Sequence, residues 1–305
     1  MHSRLLPKRV SLFVVAFIIA ALGGVGPAMA GPYSFYTDFT DSNPVPPGLT
    51  PYGTPKPTII DGPAGGKMLQ MTPDGTPGVA AAVWTQSLPV YEGAEIMTEF
   101  EFRMFRSDEP SNPADGLAFV VRDNASSPLG GSGGQMGYGG IQNALIIQFD
   151  SYPFNSDDPS DNIGDAPHMA IEIADTAGSL SLISMLEVEG YGDSNTFSNG
   201  DAWRASIWIT SHAGTGSTTV RVVLVDLDAT TAPWELTADI GNILDVLAIN
   251  DGDLTNMGLT ASTGARYSEQ DILSWRLNVP EPSGMSLMVL AFGAAAIAKR
   301  RGRKM

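Results

Sequence analysis

The chain has 305 residues, 17 of them Lys or Arg and 33 Asp or Glu, for a net charge of −16. The charge is uneven: residues 31–280 hold 9 of the basic and 32 of the acidic groups, a net of −23, which excludes nucleic acid as a partner. There is no cysteine, so disulfides, zinc–thiolate centres and thiol catalysis are excluded too, and only His2, His168 and His212 carry an imidazole.

At the N-terminus, Arg4, Lys8 and Arg9 precede an apolar run from Val10 to Leu22, and Ala28-Met29-Ala30 offers small residues for cleavage. This order predicts a secretory signal peptide over 1–30 and a mature start near Gly31. The Pro- and Gly-rich stretch 43–57 reads as a surface loop. Beyond it the apolar pattern has period two, the signature of half-buried strands. Thr98, Phe100, Phe102 and Met104 alternate with Glu99, Glu101, Arg103 and Phe105, and an apolar strand runs from Ala144 to Ile147. Trp203, Ala205, Ile207 and Ile209 alternate with Arg204, Ser206, Trp208 and Thr210. Asp239 is expected to cap one short helix with Ile240, Ile243, Leu244 and Leu247 on its buried face. In the last strand Leu273, Trp275 and Leu277 are expected to face inward. These elements predict one all-β domain over 31–278, a two-sheet antiparallel sandwich. Residues 279–305 form a tail: Pro280-Glu281-Pro282, an apolar stretch from Met285 to Ala298, and the basic cluster from Lys299 to Lys304. The stretch is shorter than the ~20 residues of a relaxed membrane span.

The densest polar group follows the Ala144 strand. Asp150, Asn155 and Asp158 offer hard oxygen ligands, and the Tyr152 carbonyl adds another. Close oxygens in a flexible loop suit Ca²⁺, which takes six to eight of them. A solvated acidic turn is the plainer alternative.

Several motifs resemble the legume-type (L-type) lectins. They are Ala114-Asp115-Gly116-Leu117-Ala118-Phe119, the glycine loop Gly133-Gly134-Gln135-Met136-Gly137-Tyr138, and Ile147-Gln148-Phe149-Asp150-Ser151-Tyr152. Met257-Gly258-Leu259-Thr260-Ala261-Ser262-Thr263-Gly264 and Asp271-Ile272-Leu273-Ser274-Trp275 complete the order. The resemblance implies a concanavalin-like jelly roll and a calcium-dependent sugar site. On matching positions it implies calcium held by Asp150, the Tyr152 carbonyl, Asn155 and Asp158, with Asp157 competing for the last place. Asp115, entered through a cis peptide after Ala114, would accept from two sugar hydroxyls. The Gly134 N–H and the Asn155 amide would donate, and Arg266 and Tyr267 could line the rim or belong to an ordinary surface loop. His168 stands where the family's transition-metal histidine stands, but Gln148 replaces a glutamate ligand, so calcium alone is expected. The tail resembles the PEP-CTERM sorting signal, which implies transient membrane anchoring, recognition by an exosortase-type enzyme, and release to the envelope or extracellular matrix.

The expected function is therefore an exported carbohydrate-binding protein whose partner is a glycan or exopolysaccharide. A structural or adhesion matrix protein with a degenerate sugar site is the alternative. A sandwich-fold glycoside hydrolase is disfavoured, because the same-face pairs Glu99/Glu101 and Glu187/Glu189 lack the spacing of known sandwich glycosidases.

Overall fold

The computed structural model describes residues 33–40, 45–62, 65–107, 113–152, 167–188, 197 and 199–280. Residues 1–30, expected to be a signal peptide, the residues beyond Pro280, and Asn155, Asp157, Asp158 and Glu189 lie outside the described residues. The first strands are β1 (Tyr33–Thr37), β2 (Leu49–Gly53), β3 (Thr58–Asp61), β4 (Lys67–Thr72), β5 (Ala80–Thr85) and β6 (Leu88–Pro89). Then come β7 (Glu95–Phe105), β8 (Gly116–Asp123), β9 (Ala144–Asp150), β10 (His168–Ala174) and β11 (Leu180–Glu187). The last are β12 (Trp203–His212), β13 (Ser217–Asp226), β14 (Trp234–Asp239), β15 (Leu254–Ser262) and β16 (Glu269–Val279), with helix α1 (Ile243–Val246) before β15.

Two antiparallel sheets form. Sheet I has the order β14-β13-β12-β7-β16-β4-β3, with β1 also on β16. Sheet II has the order β11-β10-β9-β8-β15-β5-β2, with β6 also on β15. The core lies between them, built from residues at alternate positions. Phe100 and Phe102 of sheet I meet Phe149 of sheet II at centroid distances of 5.8 and 5.5 Å, so one ring ties the layers together.

The central strands of sheet II are buried on both faces. Every residue of β8 and β9 is buried, because the segment after β8 folds back over the outer face. Met136, Tyr138 and Ile141 of that segment pack on Ala82, Trp84, Ala118, Val120 and Ile146. Such double cover explains why β8 and β9 read as nearly continuous apolar runs.

Three local expectations need correction. The stretch 43–57 is not all loop: β2 lies within it and pairs with β5 at the sheet edge, where Pro51 is tolerated. The α1 cap is Asn242, whose side chain accepts from the Leu244 N–H, whereas Asp239 accepts from the Gly241 N–H at 2.8 Å. In β16 the pairing register with β7 shifts between Ile272 and Ser274. That bulge puts Ile272 with Trp275 in the core and leaves Leu273 only half-buried.

Phe149→Ala would open a cavity between the sheets. The expected loss is about 3–5 kcal/mol, read from urea unfolding monitored by tryptophan fluorescence.

Candidate carbohydrate-binding site

The site is built at the end of sheet II where β8 begins and β9 and β15 end. The Ala114–Asp115 peptide is cis, as the motif implies. The Asp115 N–H donates to the Ser262 carbonyl at 3.0 Å, continuing the β8–β15 ladder by one residue. The Ala114 carbonyl accepts from Ser268 Oγ at 3.0 Å and Gln270 Nε2 at 3.4 Å. The Asp115 carbonyl accepts from the Ser151 N–H at 2.9 Å and Ser151 Oγ at 2.8 Å. Its backbone is therefore fixed by the two neighbouring strands.

The glycine loop closes on the same point. The Gly133 N–H donates to the Thr263 carbonyl at 3.1 Å, and Ser262 Oγ donates to the Gly133 carbonyl. A Cβ on Gly264 would stand 3.1 Å from Gly133 Cα and 3.2 Å from Asp115 Oδ2, so any larger residue would have to push the glycine loop or the carboxylate aside. Gly134, the next residue, is half-buried in a 3-10 turn beside the carboxylate. The Gly264 N–H donates to the Asp115 carboxylate, a role the motif did not reveal. Asp115 is 5% exposed, and Oδ2 has no hydrogen-bond partner among the described residues. An acceptor held ready in this way suits polar hydroxyl donors. Arg266 stacks over the Tyr152 ring at 4.9 Å, and Tyr267 lies under Arg106 at 4.3 Å, so both belong to the loops around this end.

The two metal questions have different answers. Asp150 is fully buried at the end of β9, and its Oδ1 accepts from the Tyr152 N–H. A buried carboxylate beside the Tyr152 backbone is a hard-oxygen pair that fits calcium, and the remaining implied ligands, Asn155 and Asp158, are those outside the described residues. The second metal is a poor fit. Tyr138 OH donates to Gln148 Oε1, and Gln148 Nε2 lies 3.4 Å from His168 Nε2, so the amide turns its N–H₂ toward the nitrogen a metal would need. Glu172 Oε2 completes this buried cluster 3.5 Å from Tyr138 OH. Among the described residues no three His, Asp or Glu side chains are grouped to hold a metal.

Of the two carboxylate pairs considered for hydrolysis, Glu99/Glu101 is committed elsewhere, and Glu187/Glu189 lies partly outside the described residues. Glu101 accepts from Arg204, and Glu99 accepts from Ser206 Oγ at 3.1 Å.

A two-sheet jelly roll with a buried aspartate behind a glycine loop defines a carbohydrate-binding class of protein, not a catalytic one. The sequence profile of the legume lectin domain matches residues 60–286, most of the chain, and the protein belongs to that family. A lectin of Dioclea lasiophylla is 24% identical over 235 residues, covering 68% of this chain and 71% of that one. Lectin II of Ulex europaeus superposes with a TM-score of 0.61 at 20% identity, over 83% of this chain and 100% of its own. The Bauhinia forficata lectin, solved in complex with GalNAc, gives 0.62 at 16% identity over the same shares.

Burial pushes the Asp115 carboxyl up to about 7, against the opposing Gly264 N–H bond. An unfolded aspartate titrates near ~3.9, so between these values the folded chain keeps a proton that the unfolded chain has released. The stability so carried is complete below ~4 and is lost as pH rises toward ~7. In chelator-treated protein, Asp115→Asn should gain on wild type across that window by up to ~4 kcal/mol and then level off. Urea unfolding of both proteins in a pH series reads this directly.

Proposed function

We propose that this is an exported, calcium-dependent lectin that binds glycan at the cell surface or in the extracellular matrix. The observation that carries the reading is Asp115, a buried carboxylate with one oxygen unpartnered among the described residues, set beside the Gly133–Gly264 contact. Family membership supports a sugar as its ligand. The lectins from Bauhinia forficata and Ulex europaeus, solved with GalNAc and with galactose, point to a hexose of that kind.

In this mechanism Asp115 accepts from two ring hydroxyls while the Gly134 N–H and the Asn155 amide donate. Calcium, when bound, would be held by Asp150, the Tyr152 carbonyl, Asn155 and Asp158 and would supply a fixed positive centre there. Ser151, anchored on the Asp115 carbonyl, joins that loop to the sugar-binding carboxylate. Four or so hydrogen bonds on a shallow surface give a dissociation constant on the order of 1 mM, so adhesion depends on many copies acting together.

Removing a carboxylate that accepts two hydroxyl bonds costs about 1.5–3 kcal/mol, enough to erase binding this weak. Calcium should therefore raise the melting temperature of wild type and of Asp115→Ala alike, but only wild type, displayed multivalently, should bind a glycan array. Asp150→Ala should lose the calcium response, Asn155→Ala should lose both, and manganese should stabilise no more than calcium. A calcium-loaded wild type that binds no glycan on a broad array would sink the reading.

Export is the second half of the proposal, resting on the signal-peptide pattern of 1–30 and the PEP-CTERM-like tail. Intact mass of the envelope protein in its host should place the mature N-terminus near Gly31 and the new C-terminus near Pro280–Ser283. A product that retains both ends would count against it.

A further inference from the structure

At the other end of sheet II, about 23 Å from Asp115 at ~3.3 Å per residue along β8, the outer face carries a cavity of ≈ 360 Å³. That size lies within the ~300–1,000 Å³ of small-molecule sites. Three adjacent strands supply its floor: Trp84 from β5, Arg122 from β8 and Asn256 from β15. Trp84 lies opposite Gly258, where any Cβ would collide with the indole and with the Val83 carbonyl. The missing side chain lets the ring press against the β15 backbone, and Trp84 Nε1 fixes it by donating to the Pro128 carbonyl at 2.6 Å.

This ring is a platform for a cation. The Arg122 guanidinium sits 4.6 Å from its centroid. Nη1 donates to the carbonyls of Asp123 at 3.0 Å and Ser126 at 2.6 Å. The nearby Asp123 carboxylate is occupied: Oδ1 accepts from the Ala125 and Ser126 N–H groups, and Oδ2 from Asn143 Nδ2. Arg122 is only 5% exposed, yet its Nε has no hydrogen-bond partner among the described residues. Burial lowers its pKa while Asp123 and Tyr52 oppose the shift, and a guanidinium stays cationic at neutral pH regardless. A buried cationic N–H without an acceptor is costly. With Nη1 bonded and Nε itself buried, the guanidinium meets the cavity as a cation that a carboxylate fits by a charge-assisted hydrogen bond.

The rest of the lining selects among anions. No Asp or Glu side chain lines the cavity, so an amino acid's ammonium would find no partner. Gln86, Asn124 and Asn256 contribute amides and Thr50 and Ser87 hydroxyls, which suits a polyhydroxylated ring and not an alkyl chain. One guanidinium balances one negative charge, and a domain carrying −23 disfavours a doubly charged phosphate.

We propose that this cavity is a second ligand site, which takes a uronic-acid sugar with its carboxylate on the Arg122 guanidinium. The site is separate from the one centred on Asp115 and does not depend on calcium.

Calorimetric titration of the full chain at low salt, with D-glucuronate, D-glucose, acetate and inorganic phosphate in turn, tests the assignment. D-glucuronate should bind about tenfold or more tightly than any of the other three. Arg122→Gln should abolish that binding. Because Arg122 is packed on Trp84, a companion variant at the exposed mouth, Thr50→Trp, should block the cavity while leaving the melting temperature near wild type. Asp115→Ala should leave glucuronate binding unchanged. Equal affinity for glucose and glucuronate, tighter binding of phosphate, or glucuronate binding that survives Thr50→Trp would overturn the proposal. So would its loss in Asp115→Ala, since the acid would then occupy the other site.

Discussion

Asp115 is held by its backbone, and its side chain is thereby left for a ligand. Its N–H is bound by the end of β15 through Ser262, and its carbonyl by the residue that follows β9 through Ser151. The carbonyl before it is bound by Ser268 and Gln270 at the start of β16. Two parts of the chain far apart in sequence, one at Ser151 and one from Ser262 to Gln270, converge on one dipeptide. That convergence sets the separation of the glycine loop, the carboxylate and Ser151 after β9, so the carboxylate is fixed before any ligand arrives. It also explains the charge on Asp115: the bonds that position it are all spent on its backbone, save the one from Gly264, so desolvation dominates.

A second constraint follows from covering sheet II twice. With the core on one face and the segment carrying Met136, Tyr138 and Ile141 on the other, any polar side chain on the outer face must find its partner inside. Gln148, His168, Glu172 and Tyr138 meet this demand as one cluster. A glutamate at 148 would bring a second carboxylate into the same dry pocket as Glu172, where two like charges are hard to keep without a cation between them. The amide removes that conflict. The change that spoils the transition-metal ligand set is thus also what lets the cluster close on itself without a metal.

The architecture was legible in the sequence wherever one periodicity held. The alternation through Phe100 and Phe102, and through Trp203 to Ile209, marks the buried face that the structure shows, because a strand that does not bend keeps one face inward. It fails at Ile272–Ser274, where a bulge moves the inward face by one residue, and a bulge leaves no mark in hydrophobicity. It also fails at β2, whose prolines resemble a loop although an edge strand accepts them. In the site, Asp115 and Gly134 were legible as motif residues. The Gly264 bond and the Tyr138–Gln148 pairing were not, since each joins segments by cross-strand register and not by spacing along the chain. Arg122 was hidden for the same reason: its meaning comes from Trp84, Gly258 and Asn256, which pairing alone brings together.

Electrostatics give the two ends of sheet II opposite tasks. Of the few cations in the acidic body, Lys67, Arg103, Arg204 and Arg221 are paired with carboxylates. Arg122 instead spends its bonds on backbone carbonyls. Salt screens the repulsion of an anionic chain from such a surface beyond about 8 Å at physiological ionic strength, so the repulsion is felt mainly inside that range, and only at contact does one buried guanidinium prevail. Attraction that acts only at contact rewards shape: the carboxylate must reach the guanidinium or gain nothing. At the other end, Asp115 offers acceptors to neutral hydroxyls and would itself repel an acid. A polysaccharide that carries both neutral hexoses and uronic acids could then be gripped at two points on one sheet. In that case, the order of its sugars would decide whether the two grips add.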